Sequence, residues 1–551
     1  MQKSGKLELT WVGKGEKKKI EPRILIENVE KSNTKYDLNA ENMLIHGDNL
    51  IALKALEQNF SGMIKCIYID PPYNIKVANP HYEDGLEHSE WLCMIKPRIE
   101  LLYNLLNNEG ILWISIDDAE MAHMTLVCNE IFGSNNFIAC LPTVMNLKGN
   151  QDEFAFAGTH EYTLVYAKDK SKAKFYQYDV DYEKLMEEWT EDSKGYYKKG
   201  ATLKSTGEES NREDRPKMFY PILIKDDIVN SITDEEYDLI YTEGKFDDSH
   251  LIKLITKYEQ LGYQVVIPMK DANNYGRWRW GFEKFKVDFD TEILITNGRN
   301  GISLYKKQRP EIGGLPQTKP KSLFYKPEYS SGNGTAQIKA LFGYNAFPYP
   351  KPEDLIRDFI ALSTKKGDLV LDSFLGSGTT CAVAHKMGRR WVGIELGDHA
   401  YTHCKVRLDK VIEGEQGGIS KSVNWKGGGG YRFYELAPSL LEKHSVLPIY
   451  QVHREYTFEM LCEAICKLEG FKYKPEGEMH GKSSETRYIH ISKDYISGAY
   501  IKKILKELDE NHSVLIYGTK IQSNMKLPDN VEVKRIPKDL LKKFDFESEV
   551  R

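Results

Sequence analysis

The sequence predicts an α/β fold built on a mainly parallel sheet that helices cover on both faces. Three observations carry that expectation. Short apolar runs recur at Met63–Ile69, Ile111–Ile116 and 161–167, as in strands buried on both faces. Leu92, Ile95, Ile99, Leu102 and Leu106 fall at helical spacing within 86–107, so a long amphipathic helix joins the first two runs. Further on, the strand-like Leu369–Asp372 runs into a glycine-rich turn, then a helix through Met387, then a second strand at Trp391–Glu395. Strands alternating with helices require a sheet covered on both sides.

The remaining elements follow in order. Met43–His46 reads as a short strand and Leu50–Phe60 as a helix, and Gly110 closes the long helix over 86–107. Between about 170 and 340 the pattern changes. Acidic patches (Asp226-Asp227, Asp234-Glu235-Glu236) alternate with stretches rich in Tyr, Trp, Arg, Pro and Gly, which suggests an insert. The α/β signal returns at 352. A smaller α/β unit closes the chain, with a strand at Tyr488–Ile491, a helix over 497–508 and a strand at Ser513–Tyr517. The expected division is a basic arm over 1–40, a first α/β part over 41–170, an insert over 171–345, a second α/β part over 346–435 and a C-terminal unit over 440–551.

Composition excludes several classes. With 551 residues, 41% hydrophobic and 28% charged, the chain is globular rather than disordered. No run approaches the roughly 20 apolar residues that span a bilayer, so no membrane partner is expected. The charged N-terminal stretch predicts no secretory signal. Eight cysteines without a Cys-x-x-Cys pair argue against a disulfide scaffold or a zinc ribbon, and no metal site is expected. A reduced, cytoplasmic setting fits. Cys462 and Cys466, four apart on a predicted helix, read as core thiols. The net charge of −5 argues against a basic coat protein but leaves local basic strips. One is 299–326, with Arg299, Lys306, Lys307, Arg309, Lys319, Lys321 and Lys326 against Glu311; another is Lys17-Lys18-Lys19. Either could be a solvated loop or a phosphate-contacting surface.

Two motifs carry chemistry. In Asp372-Ser373-Phe374-Leu375-Gly376-Ser377-Gly378-Thr379, glycines let the backbone approach a ligand at the carboxyl end of a strand. Glu395, some twenty positions on, can accept from ribose hydroxyls. A plain strand–helix connection would look similar at the turn alone; strand, turn, helix, strand and acid together point to a nucleoside-containing cofactor. A dinucleotide fingerprint wants a third glycine where Cys381 stands, which counts against NAD. The second motif is Asp70-Pro71-Pro72-Tyr73 after the strand Ile67-Tyr68-Ile69. Two prolines stiffen the turn and donate no N–H. The Pro71 carbonyl and the Asp70 carboxylate can together accept from an exocyclic amino group, and Tyr73 offers a flat face to a base. A rigid surface turn would need neither the acid nor the aromatic.

Asp-Pro-Pro-Tyr followed by Phe-x-Gly-x-Gly resembles the amino-group DNA methyltransferases that use S-adenosylmethionine. The order, with Asp70–Tyr73 first, an insert, and Phe374–Gly378 last, resembles their beta class. That resemblance implies a doubly wound, circularly permuted Rossmann-like sheet with an inserted target-recognition domain. Ile45–Leu50 resembles the acidic segment that meets the cofactor's adenine in that family, and Phe347–Pro352 its cofactor-side motif before the glycine turn; His160-Glu161-Tyr162, 215–222 and 276–281 are similar to the modification (Mod) subunits of type III restriction–modification systems.

The resemblance implies S-adenosylmethionine held by Asp48, Lys351, Asp372, Phe374, Gly376, Gly378, Thr379 and Glu395. It implies Asp70, Pro71, Pro72 and Tyr73 gripping a flipped base, with methyl transfer to N6 of adenine. Arg277, Arg279, Lys306, Lys307 and Arg309 become candidate DNA contacts, although Trp-Arg alternation at 277–280 also fits a half-buried strand. Double-stranded DNA, a second copy of the chain and a separate restriction subunit are the implied partners. Cytosine-N4 methylation remains an alternative, as does a recognition subunit that chiefly docks a nuclease or translocase.

Overall fold

A computed structural model describes residues 8–16, 19–74, 87–149, 155–179, 189–298, 301–310, 317–509 and 511–544. Two compact units divide the chain: Met1–Tyr176 with Pro320–Arg551, and Gln177–Lys319. The largest sheet of the first unit has nine strands. In chain order these are β1 (Leu25–Glu27), β2 (Met43–His46), β3 (Ile64–Ile69), β4 (Leu106–Ile116), β5 (Phe137–Val144), β6 (His160–Ala167), β7 (Leu369–Asp372), β8 (Arg390–Glu395) and β9 (Arg432–Leu436). Side by side they run β1-β9-β2-β8-β7-β3-β4-β6-β5. From β9 to β4 every pairing is parallel, and β1, β6 and β5 join antiparallel at the two edges.

The helices that frame the sheet are α1 (Asn49–Phe60), α2 (His88–Leu105), α3 (Asp118–Phe132), α4 (Glu353–Ser363) and α5 (Thr379–Lys386). Successive strand residues point to opposite faces, and both faces are occupied. Ile67 and Ile69 share a core with Leu53 of α1, Leu102 of α2 and Val127 of α3. Tyr68, between them, points the other way and stacks on Phe359 of α4 with ring centres 5.7 Å apart, while Phe359 stacks on Trp113 at 4.7 Å. With both faces dry, β3 and the second half of β4 have no solvent side and hence no polar alternation.

Several expectations need correction. The long helix stops at Leu105 and the chain passes straight into β4 at Leu106, so Gly110 lies inside a strand. A Cβ there would sit 2.9 Å from the Ile64 carbonyl oxygen; close strand approach, not helix capping, requires the glycine. The N-terminal segment is no free arm over its described part. Glu21 is buried and accepts from the Ser439 hydroxyl and the Leu440 N–H, both at 2.7 Å, and Leu25–Glu27 forms the edge strand β1. Lys17 and Lys18 lie outside the described residues. The insert is narrower than 171–345. Pro320 onward belongs with the first unit, where the Phe324 N–H donates to the Pro142 carbonyl at 2.9 Å and the Tyr329 hydroxyl donates to Asp358.

The unit Gln177–Lys319 has its own aromatic core around Phe219, Tyr220, Trp278 and Phe282. Beside that core lies a four-stranded antiparallel sheet of Thr190–Asp192, Gly195–Thr202, Gly301–Gln308 and Ile293–Gly298. The C-terminal part forms a five-stranded sheet, β10 (Lys472–Glu476), β11 (Met479–Lys482), β12 (Arg487–Ile496), β13 (Ser513–Ile521) and β14 (Val531–Arg535), with α6 (Phe458–Glu469) and α7 (Gly498–Leu505). Ile489 and Leu515 pack against Ile465 of α6 together with Ile24 and Leu440, which joins this sheet to the rest of the first unit. Cys462 and Cys466 sit in that core, where burial pushes both thiols up to about 12.

Phe359 joins α4 to β3 and β4 and is fully buried. Phe359→Ala is expected to lower stability by about 3–5 kcal/mol, read as a reduced urea midpoint by far-UV circular dichroism.

Candidate functional site

The strand order creates one special crevice. From β7 the chain passes through α5 to β8 on one side; from β3 it passes through α2 to β4 on the other. Between β7 and β3, where Val370 pairs with Cys66 and Leu371 with Ile67, the two progressions diverge. Open α/β sheets bind ligands outside the carboxyl ends of strands at this kind of switch point. The turn 373–378 leaves β7 there, and Asp70–Tyr73 leaves β3 beside it.

The turn is braced from beneath. Gly376 and Gly378 take φ of +56° and +83°, a region open chiefly to glycine. Phe374, 8% exposed, donates its N–H to Asp372 Oδ1 at 2.9 Å, and the Thr380 hydroxyl donates to Oδ2 at 2.6 Å. Burial pushes the Asp372 carboxyl up to about 7 despite those two donors, and the negative Asp70 and Glu395 add to the shift. Glu395, 2% exposed, accepts from the N–H groups of Gly376 (2.6 Å), Leu396 (2.8 Å) and Gly397 (3.1 Å). Its Oε1 also lies 2.8 Å from His399 Nε2. In this state Glu395 holds the turn together.

Asp48 follows β2. It caps α1 by accepting from the Ile51 N–H at 3.1 Å and pairs with the buried Arg98 at 3.0 Å. Its neighbour Asn49 donates to the Ser373 carbonyl at 2.8 Å. Asp48, Glu395 and Asp372–Gly378 therefore gather at the ends of three adjacent strands, β2, β8 and β7.

The Asp70 corner is a compact charge cluster. The Tyr73 hydroxyl lies 2.8 Å from Asp70 Oδ1 and 3.0 Å from Glu161 Oε2. Lys351 Nζ donates to the Tyr73 oxygen at 2.7 Å and lies 3.1 Å from both carboxylates. Burial alone would depress the Lys351 ammonium; Asp70 and Glu161 outweigh it and hold the group above its ordinary value. Burial raises the Glu161 carboxyl, against the pull of Lys351, and the nearby Asp70 raises it further. Burial, then the two carboxylates, lifts the Tyr73 phenol well above its ordinary value. Asp70 is 26% exposed, against 10% for Lys351 and 11% for Glu161, so it is the most open of the three charged groups. The Trp91 indole N–H donates to the Pro72 carbonyl at 2.9 Å, which fixes the corner. No described residue donates to the Pro71 carbonyl.

Lys351 ties the two motifs together, because the Thr379 hydroxyl donates to its backbone carbonyl at 3.2 Å. Thr379 in turn accepts from Arg407 at 2.8 Å. Arg407 and Lys386 both pair with the buried Glu353 at 2.8 Å, two residues after Lys351. Sequence reasoning missed this network, and it saw Glu161 only as part of a family string. The one available signal was a charged residue at the start of an otherwise apolar strand. It also missed His88, Glu120 and His123. Their ligand atoms lie within 4.8 Å of one another, the spacing of a metal-ligand set. The buried Glu120 accepts from Asn74 Nδ2 at 2.6 Å, and its two oxygens lie 2.6 and 2.8 Å from the ring nitrogens of His88 and His123.

The expected DNA contacts in the insert divide differently. Lys307 pairs with Asp192 at 2.6 Å; Arg309 pairs with Asp192 at 2.7 Å and with Glu292 at 2.9 Å. Their charges are paired within the unit. Trp278 is a core residue whose indole donates to the Tyr220 carbonyl at 2.8 Å. Arg277 donates to the Glu209 carbonyl at 2.9 Å and Arg279 to the Lys204 carbonyl at 3.2 Å. Lys306 makes no ion pair with a described residue. Arg299 and Glu311 lie outside the described residues.

Fold and crevice define an α/β protein with a ligand site at its topological switch point. More specifically, the chain belongs to the DNA methylase family (N6_N4_Mtase), which matches residues 64–405. It is 37% identical over 412 residues to the type III restriction–modification enzyme EcoPI Mod subunit of Escherichia phage P1, covering 68% of this chain and 60% of that protein. It is 33% identical to the probable HindVI Mod subunit of Haemophilus influenzae, covering 72% and 54%. It is 29% identical to the type II methyltransferase M.KpnI of Klebsiella pneumoniae, covering 61% and 75%. The chain thus spans less than two thirds of the two Mod subunits. No helix among the described residues is long and apolar enough to cross a membrane.

Asp372 supplies a pH test. Its carboxyl ionises near 3.8 in an unperturbed chain but near 7 when folded, so the native state binds the extra proton between those values. Stability contributed by this group is therefore lost as pH rises from about 4 to about 7. Asp372→Asn removes the titration. The melting temperature of the variant minus that of the wild type should climb from pH 5 to 7 and level off above 8 in scanning calorimetry; a constant difference would refute the assignment.

Proposed function

We propose that this chain is an S-adenosylmethionine-dependent DNA methyltransferase that methylates N6 of an adenine flipped out of the duplex, as the modification subunit of a type III restriction–modification system. The observation that carries the reading is the bridge at the switch point. Lys351 holds Asp70 and Tyr73 with its side chain, and its carbonyl is bonded to Thr379 at the end of the glycine turn. A base-gripping corner and a cofactor turn thereby share one support.

The residues fit the cofactor. Gly376 and Gly378 leave the turn without side chains where a ligand would lie, and the acidic Asp48, Asp372 and Glu395 ring its base. Phe374 and Thr379 complete the cradle. When bound, S-adenosylmethionine supplies a methyl group activated by a sulfonium. The protein's own part is orientation. Asp70 and the Pro71 carbonyl accept from the two N–H groups of the target amine and aim its nitrogen lone pair, so positioning and fixed electrostatics carry the rate. Tyr73 stacks on the extruded base. By the family resemblance, Asp in the first position of the tetrapeptide favours adenine over cytosine.

On this reading the unit Gln177–Lys319 is the target-recognition domain. The partners are double-stranded DNA and a separate restriction subunit, in keeping with the Mod relatives, and the setting is the cytoplasm. The Asp70–Tyr73 corner favours an active transferase over a subunit that only docks a nuclease.

Incubation with duplex DNA and S-adenosylmethionine, then nucleoside mass spectrometry, should yield N6-methyladenine. N4-methylcytosine as sole product would overturn the base assignment. Asp70→Ala should reduce methylation by at least about 10³-fold while DNA and cofactor affinities stay within about threefold; collapse of both affinities would make Asp70 a structural residue.

A further inference from the structure

The cluster behind Asp70 holds one carboxylate more than amine gripping requires. Glu161 opens β6, two strands from β3 across β4, and its Oε2 meets both the Tyr73 hydroxyl (3.0 Å) and Lys351 (3.1 Å). Its other oxygen, Oε1, is buried without a hydrogen-bond partner among the described residues. Lys351 brings one positive charge to two carboxylates 3.1 Å away. With both ionised the buried group carries a net negative charge, and a single added proton makes it neutral. Buried unbalanced charge is costly, so the cluster is built to take up a proton.

Methyl transfer to an amine generates one. We propose that Glu161 is the terminal proton acceptor of the reaction, reached from Asp70 through the Tyr73 hydroxyl; the proposal rests on the methyltransferase reading above. As the nitrogen–carbon bond forms, the carbon–sulfur bond of the sulfonium donor breaks and its electron pair stays on sulfur as a neutral thioether. The nitrogen, having given its lone pair, is left positive, and its extra proton passes to Asp70. Protonated Asp70 then donates to the Tyr73 oxygen at 2.8 Å while the Tyr73 O–H proton moves to Glu161 Oε2 at 3.0 Å. The phenol ends as it began. Burial beside two carboxylates disfavours its phenolate, which favours concerted hops. Asp70 is thereby returned to the carboxylate that grips the next amine, and Glu161 loses its proton to solvent. Lys351 donates to all three oxygens and keeps them in line.

Glu161→Gln keeps the size and the contact to Lys351 but cannot take the proton. Tyr73→Phe keeps the stacking ring but breaks the link. Single-turnover methylation over a pH series should show, for the wild type, an acid limb as Glu161 becomes protonated. Each variant should lose about 10–100-fold and lack that limb, and the double variant should be no slower than the slower single one. Difference infrared spectra of the cofactor-free protein, wild type minus Glu161→Gln so that the Asp372 signal cancels, should show a protonated-carboxyl band that titrates with the same midpoint. Wild-type rate and profile in Glu161→Gln, additive losses in the double variant, or no such band would each overturn the relay. Melting temperatures within a few degrees of wild type exclude misfolding, and Tyr73→Phe carries the test should Glu161→Gln not fold. Failure of the methyltransferase reading appears separately, as a wild type that transfers no methyl group while the infrared band persists.

Discussion

A single buried ammonium holds the site together. Lys351 has two carboxylates and a phenol within 3.1 Å of its Nζ, and in a dry environment such a charge cannot lose its partners without a penalty of several kcal/mol. The same residue lends its carbonyl to Thr379. Pro350 and Pro352 flank it and narrow its backbone freedom, and Glu353 just beyond is clamped by Arg407 and Lys386. The corner after β3 and the turn after β7 are thus fixed relative to one another through one residue that belongs to neither.

That constraint explains why chain order matters little here. Asp70 precedes Gly376 by more than three hundred positions, yet Leu371 and Ile67 pair side by side. What the site requires is that two strand ends be neighbours at the point where the connections diverge. A long excursion between them is tolerated, because loop-closure entropy grows only slowly with length and the unit Gln177–Lys319 has a core of its own.

Charge shows where linear reading fails. The basic stretch around Lys306–Arg309 reads as uncompensated in the linear chain because its acids lie elsewhere. Asp192, more than a hundred positions earlier, and Glu292 come beside it only in the folded antiparallel sheet. The same holds for Glu395 and Asp48. Their acidity was legible, but their engagement by turn amides, a helix N-terminus and Arg98 was not.

Local pattern alone determined the α/β class, the buried strands β3 and β4, the glycine turn and the Asp-Pro-Pro-Tyr corner. Each of these rests on short-range periodicity, proline and glycine stereochemistry, or a compact motif, all of which are written in neighbouring residues. Tertiary structure decided the rest. It drew Lys351 and Glu161 to Asp70, set β6 antiparallel, gave Gly110 to a strand contact and folded the N-terminal segment onto the sheet. Those outcomes depend on which distant side chains share a low-dielectric space, and a linear sequence does not encode that proximity in any local signal.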